Sequence, residues 1–248
     1  MQLTIILNRC IAKQTYHMRF SGDTRQILRA GQFVQIQLPS FYLRRPISVY
    51  DYHANETGTL DIIYKVVGKG TEYMAHLPEG TTLDVLMGLG NGYDTNIPNQ
   101  KPLLIGGGVG VPPLYALCKE LLLKGQKPQV IMGFNTSDEV FGLKAYQALG
   151  VPVTLTTVDG SQGMKGFVTD AMHALQAQYD YVYTCGPEPM LKAIHALTEK
   201  QGITGQYSFE ERMACGFGAC MGCSCETKYG PKRICKDGPV LFSEDILW

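Results

Sequence analysis

Four of the chain's eight cysteines fall in MACGFGACMGCSC, Met213 to Cys225, and a fifth follows at Cys235 in KRICKDG. Cys215, Cys220 and Cys223 stand at C-x4-C-x2-C, and Cys235 comes after eleven further residues. This is the ligand spacing of a plant-type [2Fe–2S] cluster, except that the fourth cysteine arrives much sooner. Two irons need four thiolates, and the loop that carries them must wrap tightly. Gly216, Gly218 and Gly222 permit steep turns, and the backbone N–H groups freed by such a loop can point at sulfur. A C-x2-C pair with two further cysteines also suits tetrahedral zinc, so a structural zinc site is the alternative. The small residues Gly216, Gly218, Ala219 and Gly222 favour the cluster. Cys225 is surplus. It could replace Cys235, but a single residue separates it from Cys223, an awkward reach to a second iron, so Cys235 is the expected fourth ligand.

Two glycine loops offer different chemistry. IGGGVGVPPLYAL, Ile105 to Leu117, sets Gly106, Gly107, Gly108 and Gly110 between an apolar strand run and a helix. A pyrophosphate can meet backbone N–H groups and the positive end of a helix at such a place. The spacing is not a clean G-x-G-x-x-G and Pro112 and Pro113 follow, so close packing is the competing reason for the glycines. TCGPEPM, Thr184 to Met190, again follows an apolar strand and opens a helix, which puts Cys185, Gly186 and Pro187 at a strand's C-terminal end. Two such loops converge on the crevice where open α/β sheets bind ligands.

In the first half, LRRPISVYD offers Arg45 to neutralise a phosphate and Ser48 to hydrogen-bond a flavin edge, although adjacent arginines are also common on a solvated face. IIYKVVGKGTEYM supplies a strand and then Gly70 and Thr71 before a helix, a second place for phosphate.

The elements that must position these groups follow from composition and periodicity. The chain has 248 residues, enough for two compact units. With 22 basic and 22 acidic residues, no net field draws it to nucleic acid or an anionic membrane. The N-terminus lacks a signal-peptide pattern and the longest apolar region is broken by Gly and Pro, so a soluble, cytoplasmic protein is expected. In that reducing setting clustered cysteines hold metal rather than disulfides. Residues 1–98 show β-branched, partly alternating runs (LTIIL, QFVQIQL, ISVYDY, GTLDIIYKVV, TTLDVLM) that predict a β-barrel domain. NIPNQKP marks a boundary, and residues 99–205 alternate apolar strands with helices, the pattern of a parallel α/β sheet. Residues 206–248 form a third, irregular cysteine-bearing unit. The five histidines are scattered without metal-like spacing, and Cys10 and Cys118 read as small buried apolar residues.

RPIS, the GKGT turn, GTTLDVLMGLGNGY, IGGGVGVPP and CGPEPM, in that order, resemble the ferredoxin reductase superfamily, and ERMACGFGACMGCSC with Cys235 narrows the resemblance to the electron transfer subunits of type B dihydroorotate dehydrogenase. It spans essentially the whole chain. It implies an FAD-binding β-barrel, an NAD-binding α/β domain and a [2Fe–2S] segment. Carried onto this sequence, the flavin contacts fall on Arg45, Pro46, Ile47, Ser48, Ile63, Tyr64, Lys65, Gly70 and Thr71, and the cluster ligands on Cys215, Cys220, Cys223 and Cys235. Many ferredoxin reductases end in an aromatic residue stacked on the flavin. Here the cluster segment replaces that region, so Trp248 is expected to be a hydrophobic end docked on this or a partner chain.

The resemblance further implies a relay in pyrimidine biosynthesis. Electrons pass between NAD and FAD as a hydride, and singly between FAD, the cluster and the FMN of a catalytic subunit that interconverts dihydroorotate and orotate, in a heterotetramer of two chains each. No general acid or base is expected in this chain. Asp138 and Glu139, after the strand PQVIMGF, would repel a 2′-phosphate and favour NAD over NADP. The competing enzyme is an NAD(P)H–flavin reductase subunit for another acceptor, of the sulfide dehydrogenase or hydrogenase diaphorase type. The competing non-enzyme is a zinc-stabilised docking module.

Overall fold

The computed structural model describes residues 1–98, 101–175 and 178–248. Six strands come first: β1 (Gln2–Ala12), β2 (Thr15–Gly22), β3 (Phe33–Ile36), β4 (Arg45–His53), β5 (Gly58–Lys65) and, after helix α1 (Lys69–Ala75), β6 (Thr82–Leu89). They close into a barrel in the order β1-β2-β5-β4-β3-β6. Closure gives every strand a neighbour on both sides, and alternate residues fill the interior. Leu3, Ile5, Met18, Phe20, Val34, Ile36, Leu60 and Ile62 are fully buried there.

β2 is a strand that the alternating runs do not reveal, because TYHMRFSG is rich in polar residues. Its Met18 and Phe20 face the barrel core. His17 Nε2 and Arg19 Nε are instead 2.5 and 2.8 Å from Oδ1 of the buried Asp61 on β5, so the polar residues are paired across the ladder.

The second layer begins with β7 (Pro102–Gly107), buried along its whole length, and α2 (Pro113–Leu123). It continues through β8 (Gln129–Phe134), α3 (Leu143–Ala148), β9 (Val153–Thr157), the short β10 (Met164–Lys165), α4 (Val168–Ala174), β11 (Tyr181–Cys185), α5 (Glu188–Lys200) and β12 (Gly205–Ser208). The helix expected over 167–178 is seen as α4, and residues 176 and 177 lie outside the described residues. The boundary expected between 98 and 99 likewise abuts residues 99 and 100, outside the described residues.

The segment expected to be irregular after residue 205 contributes to this sheet. β12 runs parallel to β11, then the chain leaves through the cysteine loop, with a hairpin of β13 (Ser224–Cys225) and β14 (Lys232–Arg233). It returns as β15 (Val240–Phe242), antiparallel to β12 at the sheet edge. The sheet order is therefore β10-β9-β8-β7-β11-β12-β15. The division expected between residues 205 and 206 falls inside β12, and the cysteine loop is held between two strands of one sheet.

Barrel and sheet are docked through α2. Lys119 Nζ lies 2.7 Å from Asp51 Oδ1, Tyr52 Oη donates to Glu120 at 2.9 Å, and Tyr50 stacks on Tyr115 with ring centroids 4.7 Å apart. Among the described residues no helix is long and apolar enough to cross a membrane.

Candidate functional site

The chain runs outward from β7 through β8 and β9, then crosses back to place β11 on the other side of β7. The order of strand addition reverses between the parallel neighbours β7 and β11, and ligands bind at the C-terminal ends of strands at such a switch point. Both glycine loops stand there, with Gly106 opposite Cys185 in the ladder. A methyl group on Gly110 would lie 2.2 Å from the Cys185 carbonyl oxygen, and one on Gly107 2.6 Å from Met190 Sδ. One on Gly186 would meet Met190 Cε at 2.4 Å, and one on Gly106 would meet Val111 at 2.8 Å. These four glycines let the loops pack against each other and against their helices. Gly108 differs: its φ is +53° and nothing lies within 4 Å of the position a side chain would take. It is the glycine whose backbone faces open space. Pro187 precedes the first turn of α5, and burial pushes the Cys185 thiol up to about 12, so it stays protonated at neutral pH.

On the barrel side, the β4–β5 ladder runs from His53 opposite Thr59 to Val49 opposite Ile62 and goes no further. β4 continues beside β3 through Ser48, Ile47, Pro46 and Arg45, while β5 continues beside β2 through Ile63, Tyr64 and Lys65. The two strands part, and the main-chain edges of these seven residues face the gap between them. The side chains go elsewhere. Tyr64 turns into the barrel core, with Oη donating to Asn8 at 3.2 Å, and Lys65 Nζ is 2.8 Å from Glu139 Oε1. Ile63 packs toward α2 and β7.

The two adjacent arginines have separate jobs. Arg44 is tied to the scaffold, its Nη2 2.5 Å from Asp84 Oδ2 and its Nη1 3.0 Å from the Asp84 carbonyl. Arg45 donates to the Leu43 carbonyl at 2.6 Å, lies 5.0 Å over the Phe41 ring and, among the described residues, has no carboxylate partner. It rests on Gly70, where a methyl group would lie 2.0 Å from Arg45 Nε. Thr71 Oγ1 accepts from the N–H groups of Val67 and Gly68 and donates to the Gly68 carbonyl at 3.0 Å, so this hydroxyl closes the turn that presents Gly70. A parted pair of strands beside an unpaired guanidinium fits a flavin with its phosphates.

The four expected ligand cysteines fall into two pairs. The Cys220 N–H donates to Cys215 Sγ at 3.4 Å, and the Cys235 N–H to Cys223 Sγ at 3.4 Å. Burial opposes ionisation of Cys215, but the N–H groups of Cys220, Phe217 and Ala219 outweigh it and bring the thiol down to about 6. Burial and the neighbouring Cys223 push Cys235 up to about 12, so ligation must displace its proton. Among the described residues no three His, Cys, Asp or Glu side chains converge on one point. Each iron of a two-iron cluster takes two thiolates, and the N–H···S contacts set Cys215 beside Cys220 and Cys223 beside Cys235, so the donor set fits such a cluster. The loop is braced by Arg233, whose Nη1 donates to the Gly218 carbonyl at 3.0 Å, and by the fully buried Ile234.

The start of β4, the loop after β11 and the cysteine segment meet in one cleft of about 720 Å³, lined by Arg45, Pro46, Gly186, Pro187, Met213 and Cys225 among others. Cys225 is thus on the cleft wall. Trp248 docks on this chain, 5.5 Å from the Phe209 ring and 5.8 Å from His195. Cys118 is buried as expected, but Cys10 is exposed, near the end of β1 where the strand projects beyond the core. Asp138 and Glu139 are each held by a lysine of the barrel domain, Lys13 at 3.0 Å and Lys65 at 2.8 Å, which weakens the expected repulsion of a 2′-phosphate. Two residues of the site were given no role by the motifs. Asn91 clamps the returning chain, its Nδ2 donating to Val240 at 2.7 Å, and Gln35 lies under the cysteine loop. The alternation of QFVQIQL shows that Gln35 is on the outer face of the barrel, but not that another segment covers it.

Comparison with known proteins agrees with this geometry. Residues 210–247 match the model of the iron-sulfur cluster binding domain of dihydroorotate dehydrogenase B, and residues 104–196 that of the oxidoreductase NAD-binding domain. The chain is 43% identical to the dihydroorotate dehydrogenase B (NAD(+)) electron transfer subunit of Fusobacterium nucleatum, over 98% of this chain and 96% of that one. It is 41% identical to the Bacillus pumilus subunit of the same description, over 98% and 96%. Among solved structures it is similar to a chain of an NADH-dependent reduced ferredoxin-NADP oxidoreductase studied for flavin-based electron bifurcation. The TM-score is 0.89 at 32% identity, covering 99% of this chain and 90% of that one. Phthalate dioxygenase reductase, at 18% identity and TM-score 0.68 over 80% and 64% of the two chains, shares the fold.

Proposed function

The chain belongs to the family of dihydroorotate dehydrogenase B electron transfer subunits, and from that membership we propose that it carries electrons between NAD and an FMN-containing catalytic subunit that interconverts dihydroorotate and orotate. Its place is then pyrimidine biosynthesis in the cytoplasm, in an assembly with two of each chain, and the physiological direction is from dihydroorotate to NAD. FAD accepts or gives a hydride yet exchanges electrons singly, and a [2Fe–2S] cluster carries one electron at a time, so the two together join a two-electron carrier to one-electron transfer.

This chain's residues bind and orient. Arg45, resting on Gly70, supplies positive charge for a flavin phosphate, and the edges of Arg45–Ser48 and Ile63–Lys65 supply main-chain hydrogen bonds. Gly108 and the loop at Cys185–Pro187 receive the nicotinamide cofactor. Cys215, Cys220, Cys223 and Cys235 hold the iron. The observation that carries the reading is that Arg45 and Pro46, Gly186 and Pro187, and Met213 and Cys225 line one cleft, as a relay between neighbouring cofactors would need.

The likeness to the ferredoxin-NADP oxidoreductase chain supports a second reading, in which the same relay serves another acceptor. Coexpression with the dihydroorotate-oxidising subunit of the same genome separates the two. A stable complex containing FMN, FAD and iron that reduces NAD with dihydroorotate supports the first. A chain that oxidises NADH with an artificial acceptor but neither binds that subunit nor couples to dihydroorotate supports the second.

A further inference from the structure

Gln35 is fully buried, and neither its Nε2 nor its Oε1 has a hydrogen-bond partner. An unsatisfied buried amide loses its hydrogen bonds to water and gains none in return, whereas Leu or Met in the same space would carry no such cost. Such a side chain calls for a partner that arrives with a ligand. Its position says which one. Along β3, Val34 and Ile36 point into the barrel core, so Phe33 and Gln35 lie on the opposite face. Phe33 packs in the same apolar cluster as Cys223, Ile234 and Cys235. Beside it, the turn after Cys215 sits on the Gln35 amide: a methyl group on Gly216 would lie 2.4 Å from Nε2 and 2.8 Å from Cγ. Across the ladder Gln35 stands opposite Pro46 of the parted strand β4. Its own carbonyl accepts from Arg44 Nη1 at 3.3 Å, and the Arg44–Asp84 pair anchors the strand that carries it.

We propose that Gln35 is a positioning residue for the bound [2Fe–2S] cluster, its Nε2–H donating to a sulfur on the Cys215 side. The inference rests on the reading of Cys215 and Cys220 as ligands. An N–H aimed at sulfur stabilises the reduced, more negative cluster and so raises its potential. Gln35 therefore helps set the potential of the cluster relative to the flavin.

The test uses the anaerobically purified holoprotein and the Gln35→Leu and Gln35→Met variants, which fill the same space without an N–H. Iron, sulfide and FAD contents should match the unsubstituted protein. The cluster midpoint, read by EPR during redox titration, should move to more negative potential in both, with the flavin midpoint unmoved. A cluster midpoint that stays in place overturns the proposal, as does a shift confined to the flavin. Should either variant fail to fold, the unsubstituted protein decides: ¹⁵N labelling of glutamine side chains should add a weak nitrogen coupling to the pulsed-EPR spectrum of the reduced cluster, and its absence overturns the proposal. Failure of the ligand reading would show separately, as an unsubstituted protein without iron and sulfide or a Cys220→Ala protein that keeps its signal.

Discussion

Arg45 and Gly70 are matched surfaces: the guanidinium occupies the space that a β-carbon on residue 70 would need, 2.0 Å from Nε. They are far apart in sequence, one opening β4 and the other in the first turn of α1. Glycine at 70 thus leaves room for the cation beside it, while its own backbone is ordinary helix.

Gly70→Ala should displace the guanidinium and weaken FAD binding without unfolding the barrel. Losing a charge-assisted contact to phosphate is worth about 1.5–3 kcal/mol, or roughly tenfold to hundredfold in affinity. FAD titration of the stripped protein measures this, and Arg45→Ala should fall in the same range. Wild-type affinity in both would remove Arg45 from the flavin site.

The two open-sheet glycines should respond differently. Gly110→Ala drives a methyl group into the Cys185 carbonyl at 2.2 Å, so it should destabilise the fold by about 1–3 kcal/mol or more. Gly108→Ala meets no atom within 4 Å and costs only the strain of its positive φ, roughly 1–2 kcal/mol. Its main effect should be a raised KM for NADH. Thermal denaturation and steady-state kinetics on the pair give the comparison, and equal stability losses would refute it.

Cys220→Ala should abolish the EPR signal of the reduced cluster while FAD stays bound, since Cys220 is paired with Cys215 within the cysteine loop. Cys225→Ala should leave the cluster assembled. Loss of iron from the second variant would transfer the fourth ligand position from Cys235 to Cys225.

NADH should be oxidised with an artificial acceptor much faster than NADPH. Asp138 and Glu139 are neutralised by Lys13 and Lys65, so the discrimination does not rest on free acidic charge at those two positions alone. Asp159, at the end of β9, is exposed and kept charged by hydrogen bonds from Ser161, and it adds negative charge beside the same loop. Equal rates with the two nucleotides would contradict the preference.

The motifs legible in the chain are those whose chemistry depends on covalent spacing. Cys215, Cys220 and Cys223 are held within a few residues of one another by the backbone, so their types and intervals already specify a cluster loop. The strand–glycine–helix order at Ile105 and Thr184 specifies a nucleotide-binding sheet for the same reason, and period-2 alternation exposes five of the six barrel strands.

What tertiary structure alone decided involves partners distant in sequence. Nothing local tells Arg44, locked to Asp84, from Arg45, left for a ligand. That Gly107, Gly110 and Gly186 serve loop packing while Gly108 faces open space depends on β11 lying beside β7. β12 and β15 are too short to announce themselves, and they become strands because a neighbouring edge supplies their hydrogen bonds. Gln35 reads as a solvated residue on an outer barrel face until the cysteine loop, 180 residues later at Cys215, folds down over it. Spacing along the chain encodes which ligands are present. Only long-range packing determines which polar groups are left to meet them.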